Sequence, residues 1–412
     1  MKTRSTLLIL ALLALAAPQL VQAQSTTSPY SRIGYGLLSD GATATQRQMG
    51  GVGYALPGGR LVNAMNPASY AATDSLTFLW DMGIDMSNLW SKENGKHGYN
   101  FGGGLDNLNA AFRILPGLGG SFGLIPYSNV GYSFGGTISG GSEARSGSGS
   151  INELYLGAGW EPIKGLSIGA NVSYLFGTTI NTSTIYSTTT NYFNRNLEVR
   201  DWNVHVGLQW HQQLSKTDHV TVGATYAPKK SLHGHTWGDY YDDNTSTNPT
   251  EVGRTSLSGN YELPHTVGAG VNYVHRNLMA EVDFTYQNWK DAKYALLEGY
   301  ESPNVKFDDR WKAAAGLQWV PNVRGNFVQR ITYRFGGYYN HDYQNIVGNN
   351  VRDYGITAGF GIPALGSKTL VNLGVEWKHR ESSPEKLISE NYLNITLSVT
   401  FNELWFWKNK IR

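Results

Sequence analysis

The chain has 412 residues, of which 12% are aromatic and only 16% are charged; the formal net charge is +2 and there is no cysteine. The lack of cysteine excludes a disulfide framework, and so small a net charge does not indicate a nucleic-acid partner. Length alone would suggest about two or three soluble domains.

Residues 1–23 have the pattern of a secretory signal peptide. Lys2 and Arg4 form a basic start, an apolar run over 7–17 is too short to span a bilayer, and Val21–Ala23 supplies small residues for cleavage before Gln24. An uncleaved membrane anchor is the alternative. No later run reaches about 18 apolar residues, which excludes helical membrane spans. Export, many aromatic residues and no helical span together predict a transmembrane β-barrel.

Residues 24–74 are predicted to form a hatch, or plug, inside this barrel. The stretch Gln48–Tyr70 is rich in glycine and shows no sustained period of two or 3.6. It directly precedes the first strongly alternating segment, 76–86. We therefore interpret it as a plug and the rest of the chain as the wall around it.

Residues 75–402 are predicted to form the wall, because apolar and polar residues alternate there. In Asp201–Trp210, one face carries Trp202, Val204, Val206, Leu208 and Trp210. Successive side chains of a strand point to opposite faces, so this strand has one apolar and one polar side. Tryptophan at both ends of the apolar side suits the two headgroup regions of a membrane.

The same alternation predicts an all-β fold, an antiparallel barrel of about fourteen strands. The predicted strands are 75–88, 107–115, 120–135, 152–161, 165–177, 198–212, 217–228, 255–276, 278–290, 309–320, 328–340, 352–362, 369–379 and 391–402. The segment 255–276 contains Pro264, but the apolar residues on both sides of the proline continue the same two-residue alternation. It is therefore counted as one strand. A soluble β-sandwich also alternates, but it explains the aromatic ends less well.

The connections predict which side of the membrane each end faces. Short turns at 162–165 and 274–277 are expected on the periplasmic side. Longer polar stretches at 136–150, 178–197, 229–254 and 291–308 are expected to be extracellular loops. Residues 403–412 hold an aromatic cluster followed by basic residues, which predicts a periplasmic tail at the lipid interface. A chain end without a special role is the alternative.

At this point the sequence resembles the FadL-type family of outer-membrane long-chain fatty-acid and hydrophobic-compound transporters. Four features carry the resemblance, in order along the chain: Asn66-Pro67-Ala68, Gly120–Pro126, Glu262–Thr266 and the run Trp311–Pro321 followed by Thr332–Gly336. The resemblance implies a fourteen-stranded barrel filled by a small hatch. It also implies uptake of hydrophobic molecules and their lateral release through a gap in the wall.

Asn66, Pro67 and Ala68 are the candidate hatch motif. Proline fixes φ and lacks an N–H group, and asparagine can hydrogen-bond nearby backbone, so the tripeptide suits a tight anchoring turn. An ordinary turn before a strand is the alternative.

Gly123, Pro126 and Ser128 are the candidate lateral opening. Proline cannot donate to a strand ladder, and a closed barrel has no edge on which to place it. We therefore expect a kink that opens the wall at the third strand, with a bulge of no functional consequence as the alternative.

A basic cluster on the inward faces of adjacent predicted strands is the candidate site for binding a ligand carboxylate through a charge-assisted hydrogen bond; it comprises Arg310, Lys312, Arg330 and Arg334. Glu281 and Asp283 share their predicted inward phase. An internal ion-pair network that holds the lumen rigid is therefore the favoured interpretation.

The predicted function is passive uptake of hydrophobic compounds, in particular long-chain fatty acids, across a bacterial outer membrane. The expected partners are a hydrophobic small molecule, outer-membrane lipid and the barrel assembly machinery, with no nucleic acid, metal or cofactor. No histidine or serine stands in a recognisable catalytic context, so an enzyme is not predicted. The alternative function is a structural or surface-interaction barrel whose plug never opens.

Overall fold

The computed structural model describes residues 27–243, 246–297, 300, 305–364 and 369–404. The predicted signal peptide and residues 405–412 of the predicted tail lie outside these residues. In the N-terminal segment, defined here as residues 27–74, there are 3-10 helices at Pro29–Arg32 and Pro67–Ala72, strand β1 at Leu37–Leu38 and helix α1 at Ala44–Arg47. No helix in the described part of the chain is long and apolar enough to span a bilayer.

The rest of the described chain is almost entirely β-strand. The strands are β2 Thr77–Glu93, β3 Lys96–Leu115, β4 Leu118–Ile138, β5 Gly141–Ile163, β6 Leu166–Tyr186, β7 Thr190–Gln213, β8 Asp218–Ala227, β9 Lys230–Ser231, β10 Gly234–Asp242, β11 Ser246–Ser256, β12 Glu262–Leu263, β13 Thr266–His275, β14 Leu278–Gln287, β15 Val305–Phe307, β16 Arg310–Trp319, β17 Thr332–Ile346, β18 Asn349–Pro363, β19 Leu370–Ser383 and β20 Ser389–Leu404. Short 3-10 helices occupy Trp289–Asp291 and Val328–Arg330.

These strands close into an antiparallel barrel. The last strand, β20, pairs with β19 on one side and with β2 on the other, from Thr77–Leu404 to Lys92–Ser389. Strands β8 and β10 share one position in the wall, β11 and β13 share a second, and β15 and β16 share a third. Within the described residues the wall therefore has fourteen strand positions, which confirms the predicted fold class.

The two faces of the wall differ as the alternation predicts. On β7, Trp202 is 62% exposed, whereas Gln209 on the opposite face is 5% exposed. Aromatic residues cluster near both ends of the outer apolar face, for example Trp90 with Tyr99 near one end and Phe78 with Phe112 near the other. An apolar belt between two aromatic girdles on the outside of a closed barrel is typical of a membrane-spanning β-barrel.

Three of the four predicted long loops are instead extensions of the wall. Residues 136–150, 178–197 and 229–254 are largely strand, and they form hairpins with short turns at 139–140 and 187–189. Ser, Thr, Gly and Asn occupy both faces of these strand extensions. The sequence therefore shows no alternation of apolar and polar residues there. We call the end of the barrel that carries these hairpins the mouth end, and the end with turns at 164–165 and 276–277 the base end.

The prediction of one continuous strand over 255–276 was wrong. Strand β11 ends at Ser256 and β13 begins at Thr266, and between them β12 pairs with β9 in a separate two-stranded sheet. The neighbouring wall position is interrupted at the same height, over 228–233. Pro228 and Pro264 stand in the two interruptions. Proline has no N–H group for the ladder, so the chain turns inward there and buries Leu257 and Tyr261.

The N-terminal segment lies against the polar, inward face of the wall. Glycines on that face provide the space it needs. A Cβ atom at Gly336 would lie 2.2 Å from the backbone carbonyl carbon of Met49, and one at Gly169 would lie 2.4 Å from that of Pro67. These approaches are too close for any side chain, which explains why glycine is frequent on the polar faces of the strands.

Candidate functional site

The motif Asn66-Pro67-Ala68 forms a buried turn that joins two parts of the N-terminal segment to the wall. Asn66 Oδ1 accepts a hydrogen bond from the Ala68 N–H at 3.1 Å. Its Nδ2 donates to the carbonyl of Tyr54 at 2.6 Å and to that of Leu208 on β7 at 3.2 Å. Pro67 begins a 3-10 helix, where a missing N–H group costs no hydrogen bond. The turn is thus tied to the barrel wall through one side chain.

Asp40 joins the N-terminal segment to two of the predicted cations. Its carboxylate accepts hydrogen bonds from the Arg310 guanidinium and from Lys312 Nζ, the latter at 2.6 Å. Burial acts to raise the pKa of Asp40, but the positive charges of Lys312 and Arg310 outweigh it and hold the pKa below its usual range. Asp40 is therefore ionised and occupies the position expected for a ligand carboxylate. Asp40 could not be recognised from the sequence, because it lies in a stretch without periodicity.

Arg334 lies elsewhere in the lumen. It is 1% exposed and is surrounded by amide oxygens: those of Gln318 at 2.8 Å, Gln48 at 3.0 Å and Asn372 at 2.9 Å. These three neutral acceptors take three of its five N–H groups, those on Nε and Nη1. Arg334 therefore holds Gln48 of the N-terminal segment against the wall.

The four predicted cations do not form one cluster. Strands β16 and β17 are antiparallel, so Lys312 pairs in register with Asn340 and Arg334 pairs with Gln318. Lys312 and Arg334 are thus separated by about six residues along the strands, or about 20 Å. Arg330 lies in the short 3-10 helix between these strands at the base end. Only Arg310 and Lys312 are brought together.

Glu281 and Asp283 do not pair with those cations, contrary to the favoured interpretation. Asp283 Oδ2 accepts hydrogen bonds from the backbone N–H groups of Gly53 at 2.6 Å and Tyr54 at 3.0 Å. Glu281 Oε1 accepts one from the Ala55 N–H at 3.0 Å. The two carboxylates thus bind consecutive backbone amides of the N-terminal segment and tie it to the wall.

The pairing between the second and third wall strands is incomplete. Strands β3 and β4 pair only between Leu115–Leu118 and Leu108–Leu124, near the base end. Beyond that point β4 pairs with β5, and among the described residues 96–107 of β3 pair with β2 alone. We call this interruption, on the mouth side of Leu108 and Leu124, the wall gap.

The three residues predicted to mark a lateral opening stand where the wall gap begins. Gly123 forms one of the last pairs with β3, opposite Asn109. Pro126 follows, and the register between β4 and β5 shifts between Pro126 and Ser128, which leaves Tyr127 as a bulge. On the side that faces the wall gap, Ser128 and Asn129 pair with β1 of the N-terminal segment.

A cavity of about 670 Å³ lies at the mouth end, above the N-terminal segment. The apolar part of its lining is aromatic and aliphatic and includes Tyr132, Phe134, Phe193 and Ile388. The polar part of the lining includes an ion pair in which Arg145 Nε lies 2.6 Å from Glu143 Oε1. Five of the lining residues are charged, and the apolar part of the lining is only somewhat larger than the polar part, which suits a hydrophobic small molecule that carries a polar group. We call this space the mouth cavity.

Two smaller cavities lie deeper in the lumen. One, of about 140 Å³, is lined mainly by charged residues, among them Asp40, Arg47 and Lys378. The other, of about 130 Å³, is lined by Tyr54, Pro126 and Tyr127, and so reaches the start of the wall gap. Ser39, Asp40 and Arg310 line both cavities, which are therefore adjacent.

The closed fourteen-stranded antiparallel barrel described above matches the fold of FadL-type barrels. A Pseudomonas aeruginosa FadL homologue superposes with a TM-score of 0.63 over 89% of this chain and 99% of that one, at 11% identity. The Pseudomonas putida toluene transporter TodX gives 0.61 over 90% and 100%, at 15% identity. The Ralstonia pickettii toluene transporter TbuX gives 0.59 over 88% and 98%, at 13% identity. At such identities the likeness shows the fold alone, and it confirms the resemblance predicted from the sequence.

A family model described as BamG matches residues 3–412, nearly the whole chain. The chain therefore belongs to the BamG family. A search of curated proteins found no match.

Proposed function

We propose that this protein takes up hydrophobic compounds across the bacterial outer membrane by passive diffusion and releases them sideways into the lipid. The observation that carries the proposal is the order of three features: a partly apolar cavity at the mouth, the N-terminal segment below it, and a gap in the wall beside that segment. In this proposal the N-terminal segment is the hatch, and the compound leaves through the wall gap near Pro126.

The energetics favour this route for an apolar solute. Burying apolar surface contributes roughly 25 cal/mol per Å², so a solute that buries on the order of 200 Å² in the mouth cavity gains about 5 kcal/mol over water. Release through the wall gap places the solute directly in the hydrocarbon of the bilayer. It therefore avoids transfer into an aqueous channel, which would reverse that gain.

The substrate class rests on two separate lines of support. The resemblance seen in the sequence favours long-chain fatty acids, and two of the similar folds belong to toluene transporters. In this chain Arg310 and Lys312 already hold Asp40, so a fatty-acid carboxylate would have to displace an internal carboxylate. A neutral compound does not meet this competition, and both classes belong in the same assay.

The test is uptake by whole cells. A deletion strain, the same strain carrying the wild-type gene, and one carrying Arg254→Ala, an exposed residue on β11, are compared for the initial rate of uptake of labelled oleate and labelled toluene. The wild-type gene and the control variant are expected to restore uptake of at least one compound equally. If all three strains take up both compounds at the same rate, the proposal is wrong.

One observation favours the alternative, a structural or surface-interaction barrel with a permanently closed hatch. The N-terminal segment is held by buried polar contacts at Asp40, Asn66 and Gly53–Ala55, and by the ion pair of Arg47 with Asp106 at 2.8 Å. A hatch held this firmly predicts slow amide hydrogen exchange throughout residues 27–74, with or without a hydrophobic compound. The barrel assembly machinery remains a proposed partner in insertion under either function.

A further inference from the structure

Along the described chain, the wall has a second stretch without strand pairing, on the side of β7 that faces β8 and β10. Strand β7 pairs with β8 as far as Val206 and with β10 from Val199 onward. Between these points, residues 201–205 of β7 lie beside residues 228–233 without a ladder. On its other side β7 pairs with β6 throughout. We call the place where 201–205 and 228–233 face each other the side window.

Side chains take the place of the missing ladder. Asp201 Oδ1 accepts a hydrogen bond from the backbone N–H of Trp202 at 2.7 Å, and its Oδ2 accepts one from that of His233 at 3.1 Å. Lys230 Nζ donates to the carbonyl of Trp202 and lies 2.8 Å from Asp201 Oδ1. Backbone groups at membrane depth need such partners inside the protein. The side window is thus closed by two side chains rather than by main-chain pairing.

Two prolines mark the interruption. Pro228 directly follows β8, and Pro264 stands two residues before β13. Proline has no N–H group and cannot donate to a ladder. The next amide along the chain, that of Lys229, donates to His265 Nδ1 at 3.1 Å. The absence of a ladder is therefore a consequence of the residues that stand there.

The side window lies at the aromatic girdle near the mouth end. Trp202 is largely exposed on the outer face, and its ring centroid lies 5.1 Å from that of Tyr174. Tyr226 and Val204 are also exposed on this face. Amphipathic aromatic rings favour the headgroup level of a bilayer. The side window therefore faces the mouth-side leaflet, where headgroups meet acyl chains.

A cavity lies directly behind the side window. The space of about 130 Å³ described above, here called the deep cavity, is lined by Asn203 of β7 and by Ala227 and Pro228 of the facing chain. It also reaches Pro126 at the start of the wall gap. An apolar cavity of about 150 Å³ can bind benzene, so the deep cavity has the size for a single aromatic ring and not for a long acyl chain. One continuous space thus joins the side window with the wall gap.

From this geometry we propose that the side window is an entrance for small, single-ring hydrophobic compounds dissolved in the mouth-side leaflet. They pass between β7 and Pro228 into the deep cavity and reach the wall gap without entering the mouth cavity. The inference rests on the proposed transport function and adds a second route of entry to it.

The route needs only a small local change. The ion pair of Lys230 with Asp201 is partly exposed, and such pairs are held weakly, so the lysine side chain can rotate out of the side window. The N-terminal segment stays in place. A compound in the leaflet has already left water, and this entrance spares it a return to water on the way to the lumen.

The first experiment labels one cysteine behind the side window. The chain has no cysteine, so Asn203→Cys places a single thiol in the lining of the deep cavity. The purified full chain in liposomes is treated with N-phenylmaleimide dissolved in the lipid, or with a sulfonated maleimide in the outer water. In this background Lys230→Met removes the ammonium group but keeps the length of the side chain. It is expected to raise the rate of labelling from the lipid by about threefold or more, as loss of a partly exposed ion pair allows, and to leave labelling from water unchanged.

The matched control is Lys290→Met, which removes another partly exposed ion pair, with Asp308, away from the side window. It should be labelled at the rate of Asn203→Cys alone. Equal rates of labelling from the lipid in Lys230→Met and Lys290→Met, with the heat-modifiable band shift of a folded barrel retained, would overturn the entrance.

A second variant narrows the route and does not depend on Lys230. Ala227→Phe fills the deep cavity beside Pro228, so the initial rate of toluene uptake by liposomes, above that of protein-free liposomes, is expected to fall severalfold. Oleate, which enters through the mouth cavity, should be taken up as in the wild type. The control is Ala224→Phe, at an exposed position on the outer face of β8, which should change neither rate.

The outcomes of this second comparison separate the entrance from the transport function. Equal toluene uptake by the two phenylalanine variants, with an active wild type, would overturn the entrance alone. A wild type that takes up neither compound would overturn the transport function, and the inference with it.

Discussion

The carboxylate of Asp40 accepts a hydrogen bond from the ammonium group of Lys312 at 2.6 Å and so fastens the middle of the N-terminal segment to β16. Arg310, two residues away on the same strand, contacts the other carboxylate oxygen. Two inward-facing cations are thus neutralised in part by a single acid from the segment that fills the barrel. This relationship decides how firmly the N-terminal segment is held and whether a foreign carboxylate can bind there.

Replacing Asp40 by asparagine is expected to loosen the N-terminal segment. The substitution removes the only carboxylate that contacts both Arg310 and Lys312 among the described residues, and breaking a buried ion pair typically costs about 3 kcal/mol or more. Amide hydrogen exchange over residues 36–56 should therefore become faster, with the barrel strands unchanged. The control is Asp74→Asn, which removes the exposed ion pair with Arg60 and should leave exchange as in the wild type. Equal exchange in the two variants would contradict this role for Asp40.

Replacing Gly336 by alanine is expected to displace the N-terminal segment without unfolding the barrel. The added Cβ would lie 2.2 Å from backbone of Met49, so the segment must move by an ångström or more. Overpacking of this kind typically costs about 1–3 kcal/mol. Limited proteolysis should then cleave residues 27–74 faster while the heat-modifiable band shift of the barrel persists.

The control for this substitution is Gly136→Ala on β4, where a Cβ atom meets nothing within 4 Å. It should leave both proteolysis and band shift as in the wild type. If Gly336→Ala were as resistant to protease as Gly136→Ala, the close seating of the N-terminal segment against β17 would be wrong.

Replacing Asn66 by alanine is expected to release the turn that begins at Pro67. Three hydrogen bonds end on this side chain, and the carbonyls of Tyr54 and Leu208 would lose a buried donor. Gln209 Nε2 still donates to the Tyr54 carbonyl at 3.0 Å, so the loss is that of individual buried hydrogen bonds, typically about 0.5–1.5 kcal/mol each. Amide exchange over residues 66–73 should increase, whereas Asn100→Ala on β3 should not change it. Unaltered exchange at the turn would show that the side chain does not anchor it.

The alternation of residues predicted most of the wall but not its interruptions. The number of strands and the direction in which their side chains point follow from the two-residue alternation of apolar and polar residues. A membrane requires this alternation of every strand that it surrounds. The hairpins at the mouth end lie beyond that constraint, so their polar residues show no two-residue period and predict loops where the structure has strands. The break over 257–265 was missed because its apolar residues kept their phase while turning inward, where they pack in a lumen cluster.

The candidate site was predicted in part. Pro126 indicated the position of the wall gap, because a missing N–H group disturbs any ladder, and Asn66-Pro67-Ala68 indicated a buried turn. The prediction that the four cations form one cluster was wrong. In two antiparallel neighbours the start of one strand lies beside the end of the other. Lys312 and Arg334 each lie near the start of their own strand and are therefore far apart. Asp40 and strand β1 gave no pattern, since their positions depend on contacts distant in sequence.

The most direct test of lateral release is where a transported compound first arrives. An environment-sensitive fluorescent fatty acid is added outside liposomes that contain the full chain, with a fatty-acid-binding protein trapped inside. Lateral release predicts that the bilayer signal rises before the trapped protein is loaded. Loading of the trapped protein before any bilayer signal would instead show an aqueous channel through the lumen, and would contradict release through the wall gap.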